Sequence, residues 1–396
     1  MSATGGRSWC IVSHAPRYGV GGRAERLGMH FTGHQDGLAA AAAELGHRFE
    51  ILGAPSEDTA ASGDPVAAVR RRLAEGGVDL VVVYEGRLEQ LAAFAELARD
   101  HPGTRVLLNL FKSERHLDTP RSRGSRRADL ARLRRRRDDA LTGPTGPFTA
   151  LVPPDNLVLT AETERRALLA RSLGLRVVGA WPLHSQLAVA PLPPPTERPD
   201  GPPRVLIQLQ AHKVEDATMR ELARVIGTSG RLAPDRVRWV LAGRVGTERR
   251  LVRSVGRLER LGVEVVDGGL SDDAYRALHD ASDVVWLPVR GAYNTQSSGK
   301  ALDALARGLP VLAPAGSYGA SEQSRWVPGA PSYGSTEEAI ELVLRLPWLL
   351  ATWRAALHER LPEVRTALHP RSSILGLLGL AGLSVTDGPT DGDGAA

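Results

Sequence analysis

The sequence predicts an α/β protein built from two doubly wound, Rossmann-like domains facing one another across a cleft. Three observations carry that expectation. Short runs rich in Val, Ile and Leu alternate with stretches of helical periodicity along most of the chain, the pattern of parallel strands covered by helices. The alternation occurs twice, on either side of a proline-rich break. At 396 residues the chain is also too long for one ordinary core, so two domains of typical size are expected.

The first half opens with "SWCIVS", a Gly-rich loop and the helical "HQDGLAAAAAELGH", in which Gly46 stands where a helix stop belongs, and then the strand "RFEILG". "VDLVVVYEG", "TRVLLNLF" and "DNLVLT" follow as strands continuous enough in apolar residues to be buried on both faces. At "APLPPPTERPDGPP" the closely spaced prolines forbid regular helix and make a semi-rigid connector. Beyond it "RVLIQL", "VRWVLAG", "VEVVDGG", "SDVVWLPV" and "LPVLAP" restart the alternation, with helices between them. The expected organisation is a first domain over residues 1–189, a linker over 190–203 and a second domain over 204–378. A low-complexity, acidic tail over 379–396 is expected to be disordered.

Composition bounds the function. Hydrophobic content of 42% and charged content of 24% fit a soluble globular protein, and no apolar run reaches the roughly 18 to 20 residues of a spanning helix. The start lacks the long apolar core and small-residue cleavage pattern of a secretory signal, so a cytoplasmic location is expected. The single cysteine, Cys10, allows no intramolecular disulfide and no cysteine-rich zinc site, and its place in the first strand predicts an inert core thiol. The net charge is +5, and much of the excess lies in "RSRGSRRADLARLRRRR", between Arg121 and Arg137. That segment reads either as a solvated helix face or as a contact with an anionic acceptor or, peripherally, with an anionic membrane at its inner face. With no aromatic stacking platform beside it, nucleic acid is not expected as a partner.

The stretch "YNTQSSGKALDALARGLPVLAP" gathers small polar residues immediately before an amphipathic helix that runs into a buried strand. If "DVVWLPV" is a strand, Ser297, Ser298 and Gly299 occupy the N-terminal turn of the next helix, where bare amides and the positive dipole end attract phosphate. Asp303 follows about a turn later, placed to accept hydrogen bonds from a ribose or sugar hydroxyl. The competing reading is an ordinary serine N-cap with a structural aspartate.

The segment from "GVEVVDGGLSDDAYRALHD" to "GLPVLAP" resembles the donor domain of GT-B glycosyltransferases, in particular the large retaining family known as group one or family four. The elements that carry the resemblance are Gly268, the short acidic helix after Ser271, the strand ending at Pro288, the polar loop, Asp303 and "GLPV" from Gly308. Upstream, "VLIQLQAHKVEDATMREL" and "WVLAGRVG" are similar to the first two donor-domain strands, with Lys213 at the phosphate-side basic position and His212 beside it. In the first half, "GGRAERLGMHFTGHQDGLAAAAAELGHRFEIL" is similar to the glycine-rich opening of the same family. The likeness covers most of the chain and is weakest between roughly residues 110 and 155.

The resemblance implies transfer of a sugar from a nucleoside-diphosphate sugar to an acceptor hydroxyl, with no cofactor and no bound metal. It matches Lys213 and Asp303 to donor-binding positions, and with the helix start and the replacements below the expected donor contacts are Lys213, Arg244, Asn294, Thr295, Gln296, Ser297, Ser298, Gly299 and Asp303. Two departures stand out. The first of the two acids usual in the family falls on Thr295, which leaves neutral hydrogen bonds from Asn294, Thr295 and Gln296, and the usual arginine before the lysine falls near Gln208, which makes Arg244 the candidate replacement. On the acceptor side, His34 at a helix start and Glu114 in "FKSERH" are candidates to assist the hydroxyl, each with a purely structural alternative. His14 is a weaker candidate, and Asp272 and Asp273 read as complements of a helix dipole. A nucleotide-sugar epimerase or glycerophosphotransferase of related fold, and a catalytically inactive binding protein, remain the alternatives.

Overall fold

Apolar runs become strands and the periodic stretches between them become helices in the computed structural model, which describes residues 9–14, 29–52, 64–86, 90–110, 153–172, 175–192, 201–210, 216–229, 235–244, 249–268, 270–288 and 297–383. The chain divides into two units, Met1–Leu183 with Pro370–Ala396, and His184–His369.

In the first unit, strands β1 (Cys10–His14), β2 (Arg48–Leu52), β3 (Leu80–Gly86), β4 (Arg105–Leu110), β5 (Leu157–Ala161) and β6 (Val177–Ala180) form one sheet in the order β2-β1-β3-β4-β5-β6. All neighbours are parallel. Parallel strands need covered faces, and the residues supply them. Val12, Val81, Val83, Val106, Leu108 and Leu159 pack beneath α2 (Pro65–Ala74), α3 (Leu91–Asp100) and α4 (Glu164–Ser172) through Val69, Phe94 and Ala167. Asp64 starts α2 by accepting from Val66 N–H at 3.0 Å, with proline in the first turn where its missing N–H costs nothing. Alternate residues Ile11, Leu80, Val82 and Leu107 face the other way, toward α1 (Met29–Glu44). Cys10 is a buried free thiol, as its position in the first strand predicts.

The second unit holds β7 (Arg204–Gln210), β8 (Arg238–Arg244), β9 (Glu264–Asp267), β10 (Val284–Trp286) and β11 (Val311–Leu312), again all parallel, in the order β11-β10-β7-β8-β9. One face, with Ile207, Trp239, Leu241 and Trp286, is covered by α5 (Asp216–Ser229) and α6 (Arg249–Arg260) through Met219, Leu222, Leu251, Val255 and Leu258. On α6 the apolar stripe is narrow. Leu251, Ser254, Val255 and Leu258 are buried, while Arg249, Arg250, Arg253, Arg257 and Arg260 are all exposed. Neighbouring arginines three and four residues apart repel by about 0.2–0.5 kcal/mol per pair, so the buried stripe holds this helix against its own charge. The remaining helices are α7 (Asp272–Asp280), α8 (Gly299–Ala306), α9 (Tyr318–Trp326), α10 (Thr336–Leu344), α11 (Leu346–Glu359), α12 (Leu361–Ala367) and α13 (Pro370–Leu380).

Two boundaries differ from the sequence-based expectation. The first unit ends at Leu183, ahead of the proline-rich segment, because residues after it bond within the second unit: Ser185 N–H donates to Leu368 O at 2.9 Å. Residues 370–383, expected to divide between the second domain and a disordered tail, instead return to the first unit as α13. Its Ile374, Leu377 and Leu378, with the following Ala381, pack against Leu38, Ala41 and Ala42 of α1. The rest of that tail, residues 384–396, lies outside the described residues.

Candidate functional site

In an open parallel sheet, ligands gather at the carboxyl ends of the strands where the chain order reverses. In the second unit the chain runs from β7 outward through β8 and β9, then crosses back to β10 and β11. The reversal therefore falls between β7 and β10. After β10 the chain reaches Ser297 and enters α8, so the sequence "SSGK" starts a helix beside this point.

Ser298 is the N-cap. Its backbone is extended, and its Oγ accepts from Ala301 N–H at 3.3 Å. Ala301 and Leu302 N–H also donate to Ser298 O. The Gly299 N–H lies at the helix tip, where no carbonyl of the helix can reach it. Ser297, Ser298, Gly299 and Lys300 are half-buried. The serine cap is compatible with a phosphate contact at the same turn, since a hydroxyl that accepts from an amide still has its proton to donate.

Asp303 sits deeper than a surface ligand group. It is 1% exposed, accepts from Ser185 Oγ at 2.6 Å on one oxygen and from Tyr275 Oη at 3.0 Å on the other. Burial raises its pKa to about 6, against the lowering influence of those two hydroxyls. The same burial and the Asp303 charge push the Tyr275 hydroxyl well above its ordinary value. Behind them, His279 Nδ1 meets Tyr275 O at 2.9 Å, and a carbonyl only accepts, so this nitrogen carries the proton. His279 Nε2 then accepts from Gln208 Nε2 at 2.7 Å. Burial lowers the His279 pKa to about 4, which keeps the ring neutral at physiological pH. Gln208, near the end of β7, is 5% exposed, and its Oε1 keeps an open acceptor position among the described residues. At the other end of α8, the buried Arg307 pairs with Asp280 of α7 and donates to Pro191 O at 2.7 Å, beside Arg365, which donates to Ala190 O at 2.8 Å.

Of the residues the sequence singled out, Ser297, Ser298, Gly299 and Asp303 are brought into this one region of the second unit. Arg244 ends β8, with only its backbone described, and His34 lies within α1 on the same terms. Lys213, Asn294, Thr295, Gln296, Glu114, His212 and the segment 121–137 lie outside the described residues. His14 ends β1, buried, with its pKa held low by that burial. Ser271 caps α7, and Asp272 and Asp273 fill its first turn, Asp273 pairing with Arg276. Sequence reasoning missed Ser185, Tyr275, His279 and Gln208 as one group. Among the described residues no cluster of three or more His, Cys, Asp or Glu is placed to hold a metal ion, and no helix is long and apolar enough to cross a membrane.

Two parallel sheets of these orders in one chain define the GT-B class of fold. Several solved structures share it over nearly the whole chain. The sucrose-phosphate synthase of Thermosynechococcus elongatus aligns at a TM-score of 0.58 and 15% identity, covering 94% of this chain and 97% of that one. Anabaena HepE, solved in complex with UDP-glucose, aligns at 0.59 and 13% identity over 94% and 99%. A UDP-forming α,α-trehalose-phosphate synthase from Burkholderia xenovorans aligns at 0.58 and 14% identity over 96% and 100%. No protein-family model matches the sequence, and no curated protein matches it either.

Proposed function

We propose that this protein is a glycosyltransferase that moves a sugar from a nucleoside-diphosphate sugar to an acceptor hydroxyl without a bound metal. The observation that carries the reading is the serine-capped start of α8 at the β7/β10 reversal, in a chain that shares its fold with a protein solved in complex with UDP-glucose and with a UDP-forming synthase. In the reaction the acceptor oxygen bonds to the anomeric carbon, the bond from that carbon to the diphosphate oxygen breaks, and the electron pair leaves with the diphosphate. Negative charge grows on the leaving group, so donors fixed there stabilise the transition state more than the ground state. The Gly299 amide and the Ser297 and Ser298 hydroxyls take that role from α8, with Lys213 and Arg244 as the cations. Asn294, Thr295 and Gln296 recognise the sugar through neutral hydrogen bonds. Asp303, closed in by Ser185 and Tyr275, acts by holding α8 in place, and a ribose contact would require it to be uncovered. His34 or Glu114 takes the acceptor proton. The arginines between Arg121 and Arg137 add a peripheral contact with an anionic membrane, at its cytoplasmic face.

Incubation with a panel of nucleotide sugars and simple glycosyl acceptors tests the reading. Transfer from at least one donor is expected, at a rate unchanged by EDTA. Interconversion of the free nucleotide sugar would favour an epimerase, and binding without turnover a non-catalytic protein. Ser298→Ala is expected to destabilise the second unit by about 1 kcal/mol through the lost cap and to weaken UDP binding about tenfold through the lost charge-assisted hydrogen bond. Calorimetry of binding and melting on the same sample checks both.

A further inference from the structure

The outward face of α6 combines three features that no part of the transfer reaction uses. Arg249, Arg250, Arg253, Arg257 and Arg260 are exposed along it with Glu259 as the one acid of the helix, and none of the five has an ion-pair partner among the described residues. Elsewhere in the same unit arginines find carboxylates readily. On adjacent α5, Arg220 pairs with Asp216 at 3.0 Å and Arg224 pairs with Glu221. Arg249 and Arg250 moreover stand in the first turn of α6, where the positive end of the dipole disfavours cations. A helix that crowds like charges and sets two of them against its own dipole is relieved by an external anion.

The row tells which kind. Arg249 to Arg260 spans about 16 Å along the axis, far longer than one diphosphate, so the complement is an extended array of negative groups. Val252, 45% exposed, borders the row beside Arg249, and the exposed face carries no aromatic residue on which a base could stack. A row of guanidinium groups with an exposed apolar side chain at its edge and no stacking platform suits a plane of phosphate headgroups better than a single-stranded nucleic acid. We propose that the outward face of α6 docks the protein on an anionic lipid surface. This surface belongs to the second unit, and it is independent of both the transferase reading and the segment between Arg121 and Arg137.

Cosedimentation of the full chain with vesicles of phosphatidylglycerol and phosphatidylcholine, against vesicles of phosphatidylcholine alone, tests it. Binding is expected only to the anionic vesicles, and is expected to fall with added salt. The variant R249Q/R253Q/R257Q is expected to bind about a hundredfold more weakly, to melt at the same or a higher temperature because three crowded charges are gone, and to keep the circular dichroism of the wild type. Undiminished binding by this variant overturns the proposal, as does equal binding of the wild type to neutral vesicles. A preference for single-stranded RNA over anionic vesicles that is lost in the same variant overturns it in favour of nucleic acid.

Discussion

Between about pH 4 and pH 6, the Asp303→Asn protein is expected to gain stability relative to the wild type as pH rises, by on the order of 3 kcal/mol across the window. The reason is the buried carboxylate. Its pKa stands at about 6 in the folded protein against 3.8 when free. Within that window the folded state holds a proton that the unfolded state has released, so stability falls as pH increases and stays reduced above pH 6. Asparagine keeps the shape and removes the titration. His279 does the opposite. Its pKa drops from 6.5 to about 4 on folding, so between those values the unfolded chain binds the extra proton and stability rises with pH. The two contributions oppose one another over nearly the same range and are of similar size, which flattens the wild-type response. Removing one exposes the other: Asp303→Asn should show stability rising from pH 4 to 6.5, and His279→Gln should show it falling from pH 4 to 6. Urea titrations at a series of pH values, followed by tryptophan emission, measure this because Trp239, Trp286 and Trp353 lie in the core of the second unit. Parallel curves for the three proteins would show that neither group titrates as its burial dictates.

The two sheets were legible in the sequence because a parallel strand buried on both faces must be apolar almost throughout, and runs such as "VDLVVVYEG" have few other uses. The start of α8 was legible for a related reason: serines followed by glycine before an amphipathic run is a local signature of a helix beginning. Asp303 was legible as a position and illegible as an environment. The helix that bears it is buried from Ala301 to Ala306, and an acid inside a helix apolar on all sides is itself the sign of a carboxylate with internal partners. That sign was present in "KALDALARG". Its partner was not, since Ser185 lies 118 residues away in a stretch, "PLHSQLA", with no pattern that announces a contact. The return of α13 to the first unit escaped for the same reason. Apolar spacing shows that a helix has a buried face, and only tertiary structure shows against what.

Arg307→Met is expected to destabilise the second unit by about 3–5 kcal/mol, toward the lower end because Asp280 keeps some access to water. The arginine side chain is itself 1% exposed, and its three nitrogens serve different partners: Nε and Nη2 meet Asp280, and Nη1 meets the carbonyls of Pro191 and Ala190. Methionine fills the volume and leaves those acceptors without their donors. Arg365 still reaches Ala190 O, and Pro191 O loses its only side-chain donor among the described residues. Lysine should recover only part of the loss, because an ammonium cannot address a carboxylate and a carbonyl from one planar fork. Asp280→Ala should also be costly, since it strands a buried cation, and the double variant should be less unstable than the two single losses combined. Simple additivity in urea denaturation would mean that the pair contributes separately to stability. The consequence reaches the proposed donor site, because Arg307 follows the last residue of the helix whose first turn holds Ser298 and Gly299. A helix anchored at one end by Arg307 and along its length by Asp303 presents its opening amide at a fixed place, so Arg307→Met should weaken UDP binding at temperatures where the unit remains folded.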